Sequence, residues 1–185
     1  MEKLAAEKIK ALYEAEVKKS DQDHHTPTAG AMAGHILANL KIQELKLQQG
    51  EFYVLGKEAN FLRETFKTYS DQECQWFKKI AHELVIEGEI VPTTFEEMMN
   101  YGKISLKGED KYLPAEAMVE NLVADFSFQN LFITRAIALA AKENKYHLQL
   151  ALMELYGFNQ EVIANLQAFL GKFPKEGLED DEDED

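Results

Sequence analysis

The sequence predicts an all-α fold: a four-helix bundle of two helical hairpins joined by one long crossover, with a separate helix in front. Three observations predict it. Apolar residues recur every three or four positions along four long stretches, the spacing of one buried helical face. Gly56, Asn144 and Gly171, with Pro27, Pro114 and Pro174, punctuate those stretches where helices start and stop. Between the second and third stretches, Thr94-x-x-Glu97 follows Pro92, a capping box that sets a short helix inside the crossover.

Taken in order, residues 1–20 read as an amphipathic arm about 30 Å long. Leu4, Ile9, Leu12, Tyr13 and Val17 make a loose apolar stripe, and Lys3, Lys8, Lys10, Lys18 and Lys19 alternate with Glu2, Glu7, Glu14 and Glu16. Such an arm either packs its stripe or projects and meets phosphate with its lysines. Residues 21–26 read as a polar linker that breaks the helix. Asp21, Asp23, His24 and His25 crowd oxygen and imidazole into five positions, a donor mix suited to a borderline divalent ion, although a solvated linker has the same composition. The bundle spans 27–173. Pro27 opens its first helix, at the position where a missing N–H costs nothing. Met32, Ile36, Leu40, Leu47 and Val54 form the core face, and Ile42 and Leu45 lie off it. After Gly56 come Leu62, Phe66, Tyr69, Phe77, Ile80 and Leu84, then a stop at Gly88. Residues 100–111 form a polar crossover. The third helix carries Met118, Leu122, Phe126, Ile133 and Ile137 in phase and Phe128, Leu131 and Phe132 out of phase. The fourth carries Leu148, Leu152, Leu155, Val162, Leu166 and Phe169. A monomeric bundle needs no second apolar face, so the off-phase residues predict contacts between subunits.

The 185 residues suit one domain. The net charge is −13, and residues 174–185 read as a disordered acidic tail whose eight acids and one base supply −7 of it. A chain so acidic is not a plain basic nucleic-acid binder, so any DNA contact must be local or bridged by cations. A single Cys74 excludes an intrachain disulfide and suits a reducing cytoplasm. No apolar run approaches the roughly 18 residues of a membrane span, and no signal-peptide core follows Met1. Walker loop, nucleophile elbow, dinucleotide fingerprint and Cys/His zinc spacing are all missing.

From Glu51 to Met98 the sequence resembles the Dps family, the DNA-binding, ferritin-like shells of starved bacteria. The family frame is H-W-x-x-x-G-x-x-x-x-x-L-H, then D-x-x-A-E-R, a Gly-rich end and a T-L/F-x-E helix. Here it is kept without gaps as Glu51-Phe52, Gly56, Leu62-Arg63, Lys78, Ala81-His82, Gly88 and Thr94-Phe95-Glu96-Glu97. The closing EVIANLQAFLGK is also similar, so the resemblance runs from about Gly30 to Phe173. It implies a ferritin-like four-helix bundle whose crossover contains the short helix. It also implies a dodecamer of 23 symmetry, non-sequence-specific DNA binding, often through an N-terminal extension, and a cytoplasmic, nucleoid-associated place in the cell.

The chemistry departs from that frame. At the four positions where the family binds iron between subunits, this chain has Glu51, Arg63, Lys78 and His82. Two cations there would repel a divalent ion and could instead pair with a carboxylate across the interface. The family's acidic iron-entry positions correspond to Lys145, Leu148 and Leu150, with His147 between. These losses imply a DNA-binding shell without the ferroxidase, with no certain cofactor and a divalent cation or iron as the possible ligand. Two rivals stand beside it: an iron-oxidising, iron-storing mini-ferritin with relocated ligands, and a structural shell that binds no DNA.

Periodicity adds one signal of its own. Glu44, Glu73, Gln129 and Asn159 interrupt the four core stripes near mid-height. Either local rotation points them outward, or they form a buried polar layer in which an unpaired carboxylate would be costly.

Overall fold

The computed structural model describes residues 2–25 and 27–178; for 2–4, 20, 21 and 23–25 it describes the backbone alone. Six α-helices and one 3-10 turn follow in order: α1 (Glu2–His25), α2 (Ala29–Tyr53), α3 (Ala59–Ile86), α4 (Phe95–Tyr101), the turn Gly108–Tyr112, α5 (Ala115–Lys142) and α6 (Tyr146–Phe169). No strand occurs among the described residues.

Helices α2, α3, α5 and α6 form the bundle. α2 packs chiefly on α3 and α5, and α6 on α5 and α3. The sequence chemistry at their ends explains where they stop. Thr28 rather than Pro27 caps α2, its Oγ1 accepting from Ala31 N at 3.1 Å, so Pro27 stands just ahead of the cap. At the far ends of α3, α5 and α6 the chain turns through Gly88 (φ 72°), Asn144 (φ 60°) and Gly171 (φ 71°). The next residue in each case donates back across the turn, as Glu89 N does to Leu84 O at 2.9 Å. Thr94 and Glu97 form the expected capping box, Thr94 Oγ1 accepting from Glu97 N and Glu97 Oε2 accepting from Thr94 N.

The crossover from α3 to α5 runs along α2 because buried Asn39 Oδ1 accepts from Lys103 N (2.7 Å) and Ile104 N (3.3 Å). That length of connection makes α2 and α5 antiparallel, as the Lys46–Asp125 pair and the Ala29 N–Glu143 bond both show. α5 is long and apolar enough to cross a membrane by length and composition, against the sequence expectation that no stretch comes near. It is instead a core helix of the bundle, with buried faces on both α2 and α6.

Two boundaries and one buried position differ from the sequence reading. The first helix continues through Asp21, Asp23, His24 and His25 instead of breaking at residue 20. None of those residues is Gly or Pro, and the break comes where Pro27 disfavours helix in the residue before it. The tail is structured further than expected: Gln167 Nε2 donates to Glu176 O at 2.8 Å, and Leu178 packs on the core. The rest of the acidic tail, 179–185, lies outside the described residues. Finally, of Gln43 and Glu44 on α2 it is Gln43 that is buried.

Candidate functional site

The arm projects. Ile9, Leu12, Tyr13 and Val17 are 51–67% exposed, so the apolar stripe of α1 is not packed on the protomer's own bundle. The side chains of Lys8, Lys10 and Lys18 are exposed too. Lys10 makes a loose i,i+4 contact of 3.6 Å with Glu14. The Lys3 side chain lies outside the described residues, as do those of Asp21, Asp23, His24 and His25. Among the described residues no three His, Cys, Asp or Glu side chains gather as a metal site.

Lys19 differs from the other arm lysines. Its Nζ meets Glu89 Oε2 at 2.8 Å, and Glu89 also pairs with Lys145 at the start of α6. Lys145 reaches Glu143 Oε2 at 2.9 Å, and Glu143 Oε1 accepts from Ala29 N, the first N–H of α2, at 2.8 Å. One chain of charge thus links the arm to the neighbouring ends of all four bundle helices. Gly30 makes room for it, since a Cβ there would stand 2.6 Å from Glu89 Cδ. Burial pushes the Glu89 carboxyl up, but hydrogen bonds and charge from Lys145 and Lys19 outweigh it and hold the group below the usual carboxylate range. For Lys145 burial acts downward, and Glu89 with Glu143 reverses that, keeping its ammonium charged. Sequence reasoning marked Lys145 as a lost pore acid and missed Glu89 and Glu143, whose partnership crosses three helix ends and has no local signature.

The four residues that the resemblance equates with iron ligands, Glu51, Arg63, Lys78 and His82, are not brought together within one protomer. Glu51 lies in the last turn of α2 and Arg63 in the second turn of α3, both beside the Gly56 turn; Arg63 Nη2 donates to Val54 O at 3.2 Å. Lys78 and His82 are exposed and lie 15 and 19 residues beyond Arg63 on α3, about 22 and 28 Å along it. Only a second copy of the chain could place one pair opposite the other. At the positions that the resemblance equates with the iron entrance, Leu148 is buried, Leu150 is 54% exposed, and His147 Nδ1 lies 2.9 Å from Glu83 Oε2.

Of the off-phase apolar residues, Ile42 and Leu45 join the crossover in one surface, whereas Phe132 packs against the core. Ile42, Leu45, Phe95, Met98, Met99 and Leu106 line an open groove of about 270 Å³ between α2 and the crossover. Phe95 is 89% and Met99 75% exposed, far more apolar surface than single scattered residues would give.

A ferritin-like domain model matches residues 35–175. No curated protein sequence matches the chain. Among solved structures, DpsB of Lactococcus lactis is 43% identical, with a TM-score of 0.86, covering 89% of this chain and 95% of its own. DpsA of the same organism is also 43% identical at a TM-score of 0.86, covering 91% and 99%. Dps from Listeria monocytogenes shares the fold at 21% identity and a TM-score of 0.79, covering 82% and 98%. With the helical frame, the helix in the crossover and the two hairpins in place, this chain belongs to the Dps family of ferritin-like proteins.

Proposed function

We propose that this protein is a cytoplasmic, nucleoid-associated Dps shell of twelve subunits that binds and protects DNA through its N-terminal helices, without the family's inter-subunit ferroxidase. The observation that carries the reading is the projecting arm. Its lysines at 8, 10 and 18 stand in solvent, and its base is fixed to the bundle by Lys19 and Glu89. One arm has nearly as many glutamates as lysines and binds weakly. Twelve arms on one particle turn weak contacts into avidity, because binding by the first raises the effective concentration of the rest. Divalent cations bridge the acidic surface to phosphate. Asp21, His24 and His25 are spaced three and four along a continuous helix, the spacing at which helix-surface neighbours meet.

The apolar groove along α2 and the crossover supports assembly, with a second copy covering Leu45, Phe95 and Met99. Glu51 and Arg63 of one subunit then face Lys78 and His82 of another, and ionic pairing replaces iron at that junction. Loss of the acid-lined entrance, where Lys145 is now tied to Glu89 and Glu143, favours the same conclusion over an iron-oxidising mini-ferritin.

Light scattering should give a mass near twelve times the 21.1 kDa subunit. A gel shift with linear duplex should be weakened by chelator or high salt and lost on removing residues 1–18, which leaves the Lys19–Glu89 bridge in place. Equal DNA affinity in a truncated dodecamer would refute the arm's role and favour a structural shell. Peroxide-driven iron oxidation abolished by Glu51→Ala would restore the mini-ferritin reading.

A further inference from the structure

The hydrophobic core of the bundle is divided in two. Its buried apolar residues stop at Leu40 and resume at Leu47 on α2, and the matching gaps are Phe66 to Ile80, Phe126 to Ile133 and Leu155 to Val162. In those gaps stand Gln43, Glu73, Gln129 and Asn159, each fully excluded from solvent. Bonds between the helices show that the four share one height. Lys46–Asp125 lies a turn from Gln43 and Gln129 between α2 and α5, and Ser70 Oγ reaches Glu44 O at 3.5 Å between α3 and α2. Asn159 Nδ2 donates to Asn130 Oδ1 at 3.1 Å between α6 and α5. Tyr69–Asn165 and Lys79–Glu154 bracket Glu73 and Asn159 between α3 and α6.

Both oxygens of Glu73, both polar atoms of each glutamine and Asn159 Oδ1 have no hydrogen-bond partner in the protein. No cation compensates Glu73. On α2, Lys41 is held by Glu44 and Lys46 by Asp125 of α5; on α3 itself, Lys79 is held by Glu154 of α6. The charge that acts on Glu73 is that of an acid, Glu44 on α2, which raises it further; Glu161 on α6 is exposed. An ionised carboxylate only accepts hydrogen bonds, whereas a neutral one also donates. A cation among these oxygens would leave the amide N–H groups of Gln43 and Gln129 without acceptors. A neutral Glu73 can serve an amide oxygen as donor and an amide N–H as acceptor, which an ionised one cannot do at once. We infer that Gln43, Glu73, Gln129 and Asn159 form a buried protonation site, which holds one proton in the folded bundle and loosens the middle of the core when that proton leaves.

Burial first, and the Glu44 charge second, push the Glu73 carboxyl well above the usual carboxylate range. The unfolded chain ionises it in the ordinary range. Between those two values the folded state binds more protons, so stability falls as pH rises, by up to about tenfold in the folding constant per pH unit. Below the unfolded value both states are protonated and the slope vanishes.

The test uses the full-length shell. Infrared difference spectra should show a carboxylic-acid carbonyl stretch near neutral pH that disappears in Glu73→Gln. Urea midpoints of the parent should fall as pH rises above the unfolded carboxylate range, relative to those of Glu73→Gln, which keeps the shape and hydrogen-bonding capacity of the neutral acid. If the variant fails to assemble, reversible loss of the acid band in the parent at high pH serves as the readout. An equal slope in both proteins, no acid band, or a carboxylate band accompanied by stoichiometric bound metal would overturn the inference.

Discussion

Glu73 and Glu89 are both largely withdrawn from water, and they behave in opposite ways. Glu89 lies where four helix ends converge, between Lys145 and Lys19, and is held below the usual carboxylate range. Glu73 lies mid-bundle between glutamines, with only Glu44 as a charged influence, and is held well above it. Burial raises both groups, so burial alone does not decide the charge of an acid inside this fold. Partners strong enough to outweigh burial do: two lysines suffice at Glu89, whereas Lys46 alone leaves Asp125 raised. Helix ends collect side chains from several elements, whereas the middle of a packed bundle offers only what four facing positions carry.

The largest expected effect concerns what the polar layer divides. Phe126 is fully buried on α5 beside the layer, in contact with Phe158. Phe126→Ala should cost about 3–5 kcal/mol in urea unfolding, through lost burial and the cavity left behind. A loss below about 1 kcal/mol would mean that polar contacts, not the apolar halves, hold the bundle.

Glu89→Ala comes next, at about 2 kcal/mol, because it leaves Lys145 facing Glu143 alone and takes one partner from Lys19. Its pH signature should be the reverse of that of Glu73. An acid held low in the folded state contributes stability above its unfolded value and loses it as pH falls through the folded one. Acid titration of Glu89→Ala should therefore show a shallower loss than the parent below the unfolded carboxylate range, where Glu73 is protonated in both states and adds no slope. Parallel curves would dissolve the contrast.

Glu97 is a third case, held low without any lysine. Burial acts upward, but the backbone N–H groups of Thr93 and Thr94 and the Thr94 hydroxyl outweigh it. Thr94→Ala should cost about 1 kcal/mol and shift hydrogen exchange mainly in α4. Global exchange would instead tie the short helix to the bundle core.

How far these differences could be read from the sequence depends on how local they are. The core stripes, the turns at Gly56 and Gly171 and the Thr94 cap depend on residues within one or two turns of each other, and each was legible. The polar layer was half legible: Glu73, Gln129 and Asn159 break their stripes visibly, but Glu44 drew attention from its neighbour Gln43. Gln43 is the one in phase, three residues after Leu40 and four before Leu47. The Glu89 network was not legible. It depends on a hairpin turn, a crossover and an arm meeting at one end of the bundle, and charged residues near helix ends are too common to mark it.

The smallest effect on stability, and the most informative about the arm, is Lys19→Ala. Its ammonium is about half exposed, and such a pair contributes at most about 1 kcal/mol. The urea midpoint should scarcely move. Glu89 keeps Lys145, so the bundle end remains closed and the contrast with Glu73 survives in weaker form. What changes is the join between α1 and the bundle, where α1 makes few other contacts. Amide exchange in the last turns of α1 should rise while α2 and α3 stay protected, and limited proteolysis should begin near residue 20. DNA affinity should fall modestly, because a looser arm loses pre-organisation while its other lysines remain. Unchanged exchange in α1 would show that the helix holds its direction through its own backbone, and that Glu89 serves the bundle alone.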